Sequence, residues 1–283
     1  MVDAGTRLFC VIGDPIAHSL SPAMHNAVFR ALGLNSVYTA FRVPPKDLPK
    51  AVEGMRALGF GGANVTIPHK VAILPLLDRL AEEARLIGAV NTVKIDGGLE
   101  GHNTDGIGAL RALREGGADP LGKRVLIQGP GGAARGIVMA LALRGGESSL
   151  TILGVVEGEV ARLMEDVRRG TGVEVSGGFL EEGSLREGIE KAEILIHATP
   201  VGMHPKVGES LVEKGLIRPG LAVMDIVYNP QETRLLREAR EAGARTISGL
   251  EMFLNQGAES LKIWLGIDAP LELMRKVVLE ELK

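Results

Sequence analysis

With a single cysteine, Cys10, the chain has no internal disulfide to staple it. A lone thiol inside the apolar run Leu8 to Ile12 reads as a buried, inert side chain rather than a nucleophile, and it fits a reducing cytoplasm. Long apolar runs are also missing. The stretch Ile137 to Leu143 falls far below the roughly 20 residues needed to cross a bilayer, so no transmembrane span is expected. Residues 1–7 lack the basic start and apolar stretch of a secretory signal. A formal net charge of -3, with no block of like charges, offers no basic field to a polyphosphate backbone, which sets nucleic acid and membrane surfaces aside as partners. Histidines 18, 25, 69, 102, 197 and 204 form no His-x-x-x-His pair and have no cysteine partner, so no metal site is expected. No period of roughly 20 to 50 residues recurs, which excludes solenoid repeats.

What is present is an ordinary globular composition, 45% hydrophobic and 24% charged over 283 residues, enough for about two domains. Short runs rich in Val and Ile alternate with stretches of helical periodicity, the mark of βαβ units and an α/β fold. Strands are expected at Leu8 to Ile12, Val37 to Val43 and Gly62 to Val65, with helices at Pro22 to Leu32 and Asp47 to Leu58. A second series has strands at Arg124 to Gln128, Leu150 to Leu153, Ile194 to Ala198 and Leu221 to Ile226. Its helices are expected at Gly132 to Leu143, Val160 to Arg169 and Thr233 to Ala242. Four parallel strands with intervening helices suffice for a dinucleotide-binding fold. The boundary is placed near Gly106, ahead of a connecting helix at Gly108 to Glu115, and two apolar-faced helices, Leu250 to Leu265 and Leu271 to Leu282, end the chain.

The segment Gln128-Gly129-Pro130-Gly131-Gly132-Ala133-Ala134 sets closely spaced glycines between a buried strand and a helix. Small residues let backbone approach a pyrophosphate, and the helix start supplies N–H donors with partial positive charge. Pro130 removes one such donor. The end of the next strand, which normally selects the cofactor through an acidic residue or an arginine, reads Gly154-Val155-Val156-Glu157 and offers neither in the usual place.

Four polar constellations fall at strand ends or helix starts, where α/β proteins collect ligand groups. They are His18-Ser19-Leu20-Ser21-Pro22, Asn64-Val65-Thr66-Ile67-Pro68-His69-Lys70, Ala89-Val90-Asn91-Thr92 and Asn103-Thr104-Asp105-Gly106. Ser21 before Pro22 is explained by helix capping alone, whereas Ser19 has no such role, and paired hydroxyls at a helix start suit a carboxylate. Lys70 reads most simply as a solvated lysine; held at a strand end and partly desolvated, it would suit a general acid. Asp105 reads equally as a cap of the following helix.

These stretches, together with Ala198-Thr199-Pro200-Val201-Gly202-Met203, Asp225-Ile226-Val227-Tyr228-Asn229-Pro230 and Gln256-Gly257-Ala258, are similar, in order, to the shikimate dehydrogenase family. The resemblance implies an N-terminal α/β substrate domain, residues 1–106 with 250–283, and a Rossmann-type dinucleotide-binding domain, 107–249, with the site in the cleft between them. It implies reversible reduction of 3-dehydroshikimate to shikimate in aromatic amino acid biosynthesis. Lys70 and Asp105 would form the catalytic pair. Ser19 and Ser21 would hold the substrate carboxylate, and Thr66, Asn91, Tyr228 and Gln256, with Asp105, the ring hydroxyls. The implied cofactor is NADP, with NAD as the alternative. Its contacts would be Gly129, Gly131, Gly132, Ala133 and Ala134 at the phosphates and Thr199, Ile226, Gly249 and Met252 near the nicotinamide. The family usually carries Asn-Arg-Thr where this chain has Gly154-Val155-Val156, an asparagine at His197 and a small residue at Pro130. The expected protein is cytoplasmic, a monomer or homodimer. Rival readings are an NAD-dependent quinate/shikimate dehydrogenase, a non-catalytic dinucleotide sensor, and a Rossmann enzyme of amino or methylene transfer.

Overall fold

The Val- and Ile-rich runs become strands in the computed structural model, which describes residues 2–283. The described residues fall into two units, one running up to Thr104 and joined by Gln256–Lys283, the other Asp105–Asn255. The first holds β1 (Arg7–Gly13), α1 (Ser21–Ala31), β2 (Ser36–Arg42), α2 (Leu48–Ala57), β3 (Gly62–Val65), α3 (His69–Ala72), β4 (Arg79–Leu80), α4 (Glu82–Ile87), β5 (Thr92–Ile95) and β6 (Leu99–His102). Its sheet runs β2-β1-β3-β5-β6-β4. β1 pairs in parallel with β2 and β3, while β3–β5 and β5–β6 are antiparallel. β4, β5, β6 and α4 escape the sequence reading. They are too short to display a period, and only the turn residues Asp96-Gly97-Gly98, with Gly97 at φ 64°, announce the β5–β6 hairpin.

Trp264 anchors this unit's core from the C-terminal end of the chain. Its indole N–H donates to the Val93 carbonyl at 2.9 Å, and its ring packs against Phe9 at 5.2 Å and His25 at 5.7 Å. Gly62 leaves the space that the indole occupies. Truncating such a buried indole costs about 3–5 kcal/mol. Cys10 is fully buried, and burial pushes its thiol up to about 12, so it carries no thiolate at neutral pH.

The second unit holds α5 (Asp105–Glu115), β7 (Arg124–Gln128), α6 (Gly132–Arg144), β8 (Ser149–Gly154), α7 (Glu157–Thr171), β9 (Ser176–Phe179), α8 (Glu182–Lys191), β10 (Ile194–His197), β11 (Ala222–Asp225), α9 (Arg234–Glu241) and β12 (Arg245–Ser248). α10 (Gly249–Leu265) and α11 (Leu271–Glu281) complete the chain. The sheet order is β12-β11-β10-β7-β8-β9, every neighbouring pair parallel, which is the doubly wound order of dinucleotide-binding folds. The four strands expected from the sequence are its apolar centre, with Leu126, Leu153, Leu195 and Val223 in the core. The two added strands are edges of sequence Ser-Gly-Gly-Phe and Arg-Thr-Ile-Ser, half exposed and therefore without an apolar run. The connecting helix begins at Asp105, three residues before the expected Gly108, because Gly106 lets it approach α6: a Cβ there would lie 2.6 Å from that of Ala140.

Candidate functional site

Strand register explains why distant motifs meet in the first unit. Asn64 on β3 pairs with Thr92 on β5, and Thr92 with His102 on β6. β3 and β6 therefore end, and β5 begins, at one edge of the sheet. β1, parallel to β3, ends there too, with Ile12 beside Val65. Just beyond that edge lie Ser19 and Ser21 after β1, Thr66 and Lys70 after β3, Asn91 before β5, and Thr104 and Asp105 after β6.

A buried polar network braces this edge. Asn64 Oδ1 accepts from Tyr38 Oη at 2.7 Å, and its Nδ2 donates to Thr92 Oγ1 and Ser260 Oγ, both at 3.1 Å. Asn91 donates through Nδ2 to Thr104 Oγ1 at 2.9 Å, and its Oδ1 accepts the Thr104 N–H at 2.8 Å. The residue before Asp105 is thereby fixed. The Val90 N–H donates to the Lys70 carbonyl at 2.8 Å, tying the Lys70 turn to the Asn91 segment. His69 donates from Nε2 to the Val43 carbonyl at 2.7 Å and is a structural brace. Fully satisfied networks of this kind hold side chains in one arrangement.

The capping role weighed for Ser21 is corrected. α1 begins at Ser21 itself, with Leu20 at the cap position and no side-chain cap among the described residues. The Ser21 N–H donates instead to Ser19 Oγ at 3.3 Å, which holds the Ser19 hydroxyl at the helix start. Asp105 is the first residue of α5 and only 4% exposed. Gln256 lies on α10 with Thr104 Oγ1 at 3.5 Å from its Oε1. Tyr228 follows β11 and stacks on Phe253 at 4.4 Å. Asn64, Thr92 and Thr104 belong to the polar constellations of the sequence but carry no role of their own there, and Tyr38 and Ser260 lie outside those constellations. Ser260 stands four residues after Gln256, on the same helix face, and that spacing was the available signal.

In the second unit the parallel register brings Gln128, His197, Asp225 and Ser248 level at the carboxyl end of the sheet. The expected dinucleotide contacts all follow within six residues of those four, Ala133 and Ala134 in the first turn of α6 and Met252 in that of α10. Gly129, at φ 96°, is pressed against the next loop: a Cβ would lie 2.9 Å from Thr199 Cγ2. Gly131 has ordinary backbone, φ -67°, and open space where a Cβ would stand. No described atom blocks a Cβ there, so the turn leaves room for a ligand to approach its backbone. The first N–H groups of α6 lack intrahelical acceptors, and among the described residues no side chain caps them. Pro130 precedes these donors, so its missing N–H does not deplete them. The residues present fit a pyrophosphate. Gly249 opens α10 so close to Ile226 that a Cβ would lie 2.5 Å from its carbonyl oxygen, and Met252 is buried.

His197 braces this edge from below. Its Nδ1 lies 2.9 Å from Gln128 Oε1, and its Nε2 lies 2.9 Å from Thr199 Oγ1 and 3.1 Å from the Val201 carbonyl. A carbonyl only accepts, so Nε2 carries the proton. Asp225, buried alongside, accepts from Thr233 Oγ1 at 2.6 Å and the Val227 N–H at 3.0 Å. Burial raises its pKa, and the neighbouring His197 offsets part of that rise.

Residues 11–93 match the family model described as shikimate dehydrogenase substrate binding domain, and residues 249–279 that described as shikimate 5'-dehydrogenase C-terminal domain. A shikimate dehydrogenase (NADP(+)) of Methanosarcina barkeri is 47% identical, over 98% of this chain and 99% of that one. A crystal structure of a shikimate dehydrogenase in complex with NADP+ superposes with a TM-score of 0.93 at 40% identity, covering 100% of this chain and 98% of that one. The shikimate 5-dehydrogenase of Listeria monocytogenes, in complex with shikimate and NAD, gives 0.89 at 40% identity, covering 98% of each chain.

Proposed function

The chain belongs to the shikimate dehydrogenase family, and on that premise we propose that it reduces 3-dehydroshikimate reversibly to shikimate with NADP, an oxidoreductase acting on a CH–OH group in the route to the aromatic amino acids. The observation that carries this reading is the full-length likeness in a chain whose Ser19, Ser21, Thr66, Lys70, Asn91 and Asp105 motifs share one sheet edge.

The bound nicotinamide supplies a hydride to the ring carbonyl carbon. Lys70 gives its ammonium proton to the carbonyl oxygen as negative charge develops there, which lowers the barrier as general-acid catalysis does. Asp105 orients Lys70 and accepts from the neighbouring ring hydroxyl. Ser19 and Ser21 hold the carboxylate through their hydroxyls. Thr66, Asn91, Tyr228 and Gln256 bond the ring hydroxyls, and an analogue lacking one leaves a buried polar group unpaired, a penalty that discriminates strongly. In the second unit the N–H groups of Gly131 to Ala134 hold the pyrophosphate, and Thr199, Ile226, Gly249 and Met252 line the nicotinamide side.

No helix among the described residues is long and apolar enough to cross a membrane. We assign the enzyme to the cytoplasm, as a monomer or homodimer, a placement supported by its single buried cysteine. Oxidation of shikimate with NADP, followed by absorbance of the reduced nicotinamide, tests the activity. Absence of turnover at millimolar shikimate would sink it.

A further inference from the structure

NAD and NADP differ by one phosphate, so the groups around the 2′ position of the adenosine ribose decide between them. In doubly wound dinucleotide domains those groups lie past the end of the second strand, where an acidic side chain takes the 2′-hydroxyl and an arginine takes the phosphate. Here that place is the β8–α7 turn, Gly154-Val155-Val156-Glu157-Gly158-Glu159. It contains no cation. Val155 is 66% exposed and Val156 49%, so apolar surface stands where a guanidinium is needed. The first turn of α7 adds two carboxylates, Glu157 and Glu159, which repel a phosphate.

The nearby arginines are engaged. Arg135, in the first turn of α6, pairs with Asp166 Oδ2, and Arg169 takes Oδ1 of the same carboxylate at 2.6 Å. The side chains of Arg135 and Asp166 are only 13% and 17% exposed. Arg168 grips Glu165 through Nε at 2.9 Å and Nη2 at 2.8 Å. Arg162, exposed on α7, is the remaining candidate and is tested below. The turn itself is locked to the pyrophosphate loop. A Cβ on Gly154 would lie 2.8 Å from Pro130 Cδ and 2.8 Å from Val160 Cγ2, so Pro130 occupies the room a side chain at position 154 would use. The proline and the glycine are a matched pair, and together they leave this end of the site without polar reach toward a 2′-phosphate.

We propose that this dinucleotide-binding unit does not select for the 2′-phosphate, so that the chain takes NAD as readily as NADP, with Glu157 accepting from the ribose hydroxyls of NAD. The inference rests on the reading of Gly129 to Ala134 as the pyrophosphate loop. Calorimetric titration of the full chain with NADP and with NAD tests it, in the unaltered protein and in Val155→Arg, Glu157→Gln and Arg162→Ala. The expected dissociation constants for the two dinucleotides lie within about tenfold of each other. Val155→Arg should tighten NADP by about tenfold or more through a charge-assisted contact and leave NAD unchanged, which also shows the fold intact. Glu157→Gln should weaken NAD alone, several-fold. NADP bound more than about a hundredfold tighter than NAD, or an Arg162→Ala variant that loses NADP but keeps NAD, would overturn the proposal. If neither dinucleotide binds, the pyrophosphate-loop reading itself fails and the proposal falls with it.

Discussion

His25 makes the first unit acid-sensitive by an amount the structure sets. The ring is wholly buried, stacked on Tyr38 at 4.5 Å between Phe29 and Trp264, and neither ring nitrogen has a hydrogen-bond partner among the described residues. Burial pushes its pKa down from the ordinary 6.5 to about 3. A base with a depressed pKa in the folded state binds its proton more readily when unfolded. Its destabilising effect is therefore absent above about pH 6.5 and grows as pH falls from there toward 3, at about 1.4 kcal/mol per pH unit. Between pH 7 and pH 5 the loss is about 2 kcal/mol. His25→Phe keeps an aromatic ring in the same space and removes the titration. Urea unfolding of both proteins at pH 7 and pH 5, followed by emission from the sole tryptophan, Trp264, reads the same unit. The native chain should lose about 2 kcal/mol more than the variant, other titrating groups being common to both. Equal losses would refute the reasoning, because His25 would then accept its proton without leaving the core.

Lys70→Ala should lower kcat by about two to four orders of magnitude with little change in the KM for shikimate, as for a group acting in the transition state; steady-state kinetics that show a KM effect alone would remove the general-acid role. Ser19→Ala should chiefly raise that KM, by about tenfold for one lost hydrogen bond to a charged group, and an unchanged KM would contradict carboxylate binding. Gly131→Ala should weaken dinucleotide binding while leaving Tm nearly unaltered, because its Cβ meets open space. Gly129→Ala, by contrast, should lower Tm as well, its positive φ and 2.9 Å approach to Thr199 costing about 1–3 kcal/mol. Matching losses of Tm in both variants would show that Gly131 serves the fold and not a ligand.

Sequence alone determined what is local. Apolar runs bounded by glycine named the central strands of both sheets, and the glycines after Gln128 marked a phosphate turn, because a strand, a tight turn and a helix start are written in consecutive residues. The motifs proposed to carry catalysis and substrate binding were legible as polar clusters at strand ends for the same reason. Tertiary structure decided what depends on neighbours far apart in the chain. The β5–β6 hairpin, too short to show a period, reverses the chain so that Asn91 and Thr104 bond one another. Trp264 and Ser260 join a sheet laid down some 170 residues earlier. Ser21 proved not to be a cap, and Pro130 and Gly154, two separate oddities in the sequence, proved to be one packing contact. Register, burial and the space around a Cβ are properties of pairs of segments, and no single segment carries them.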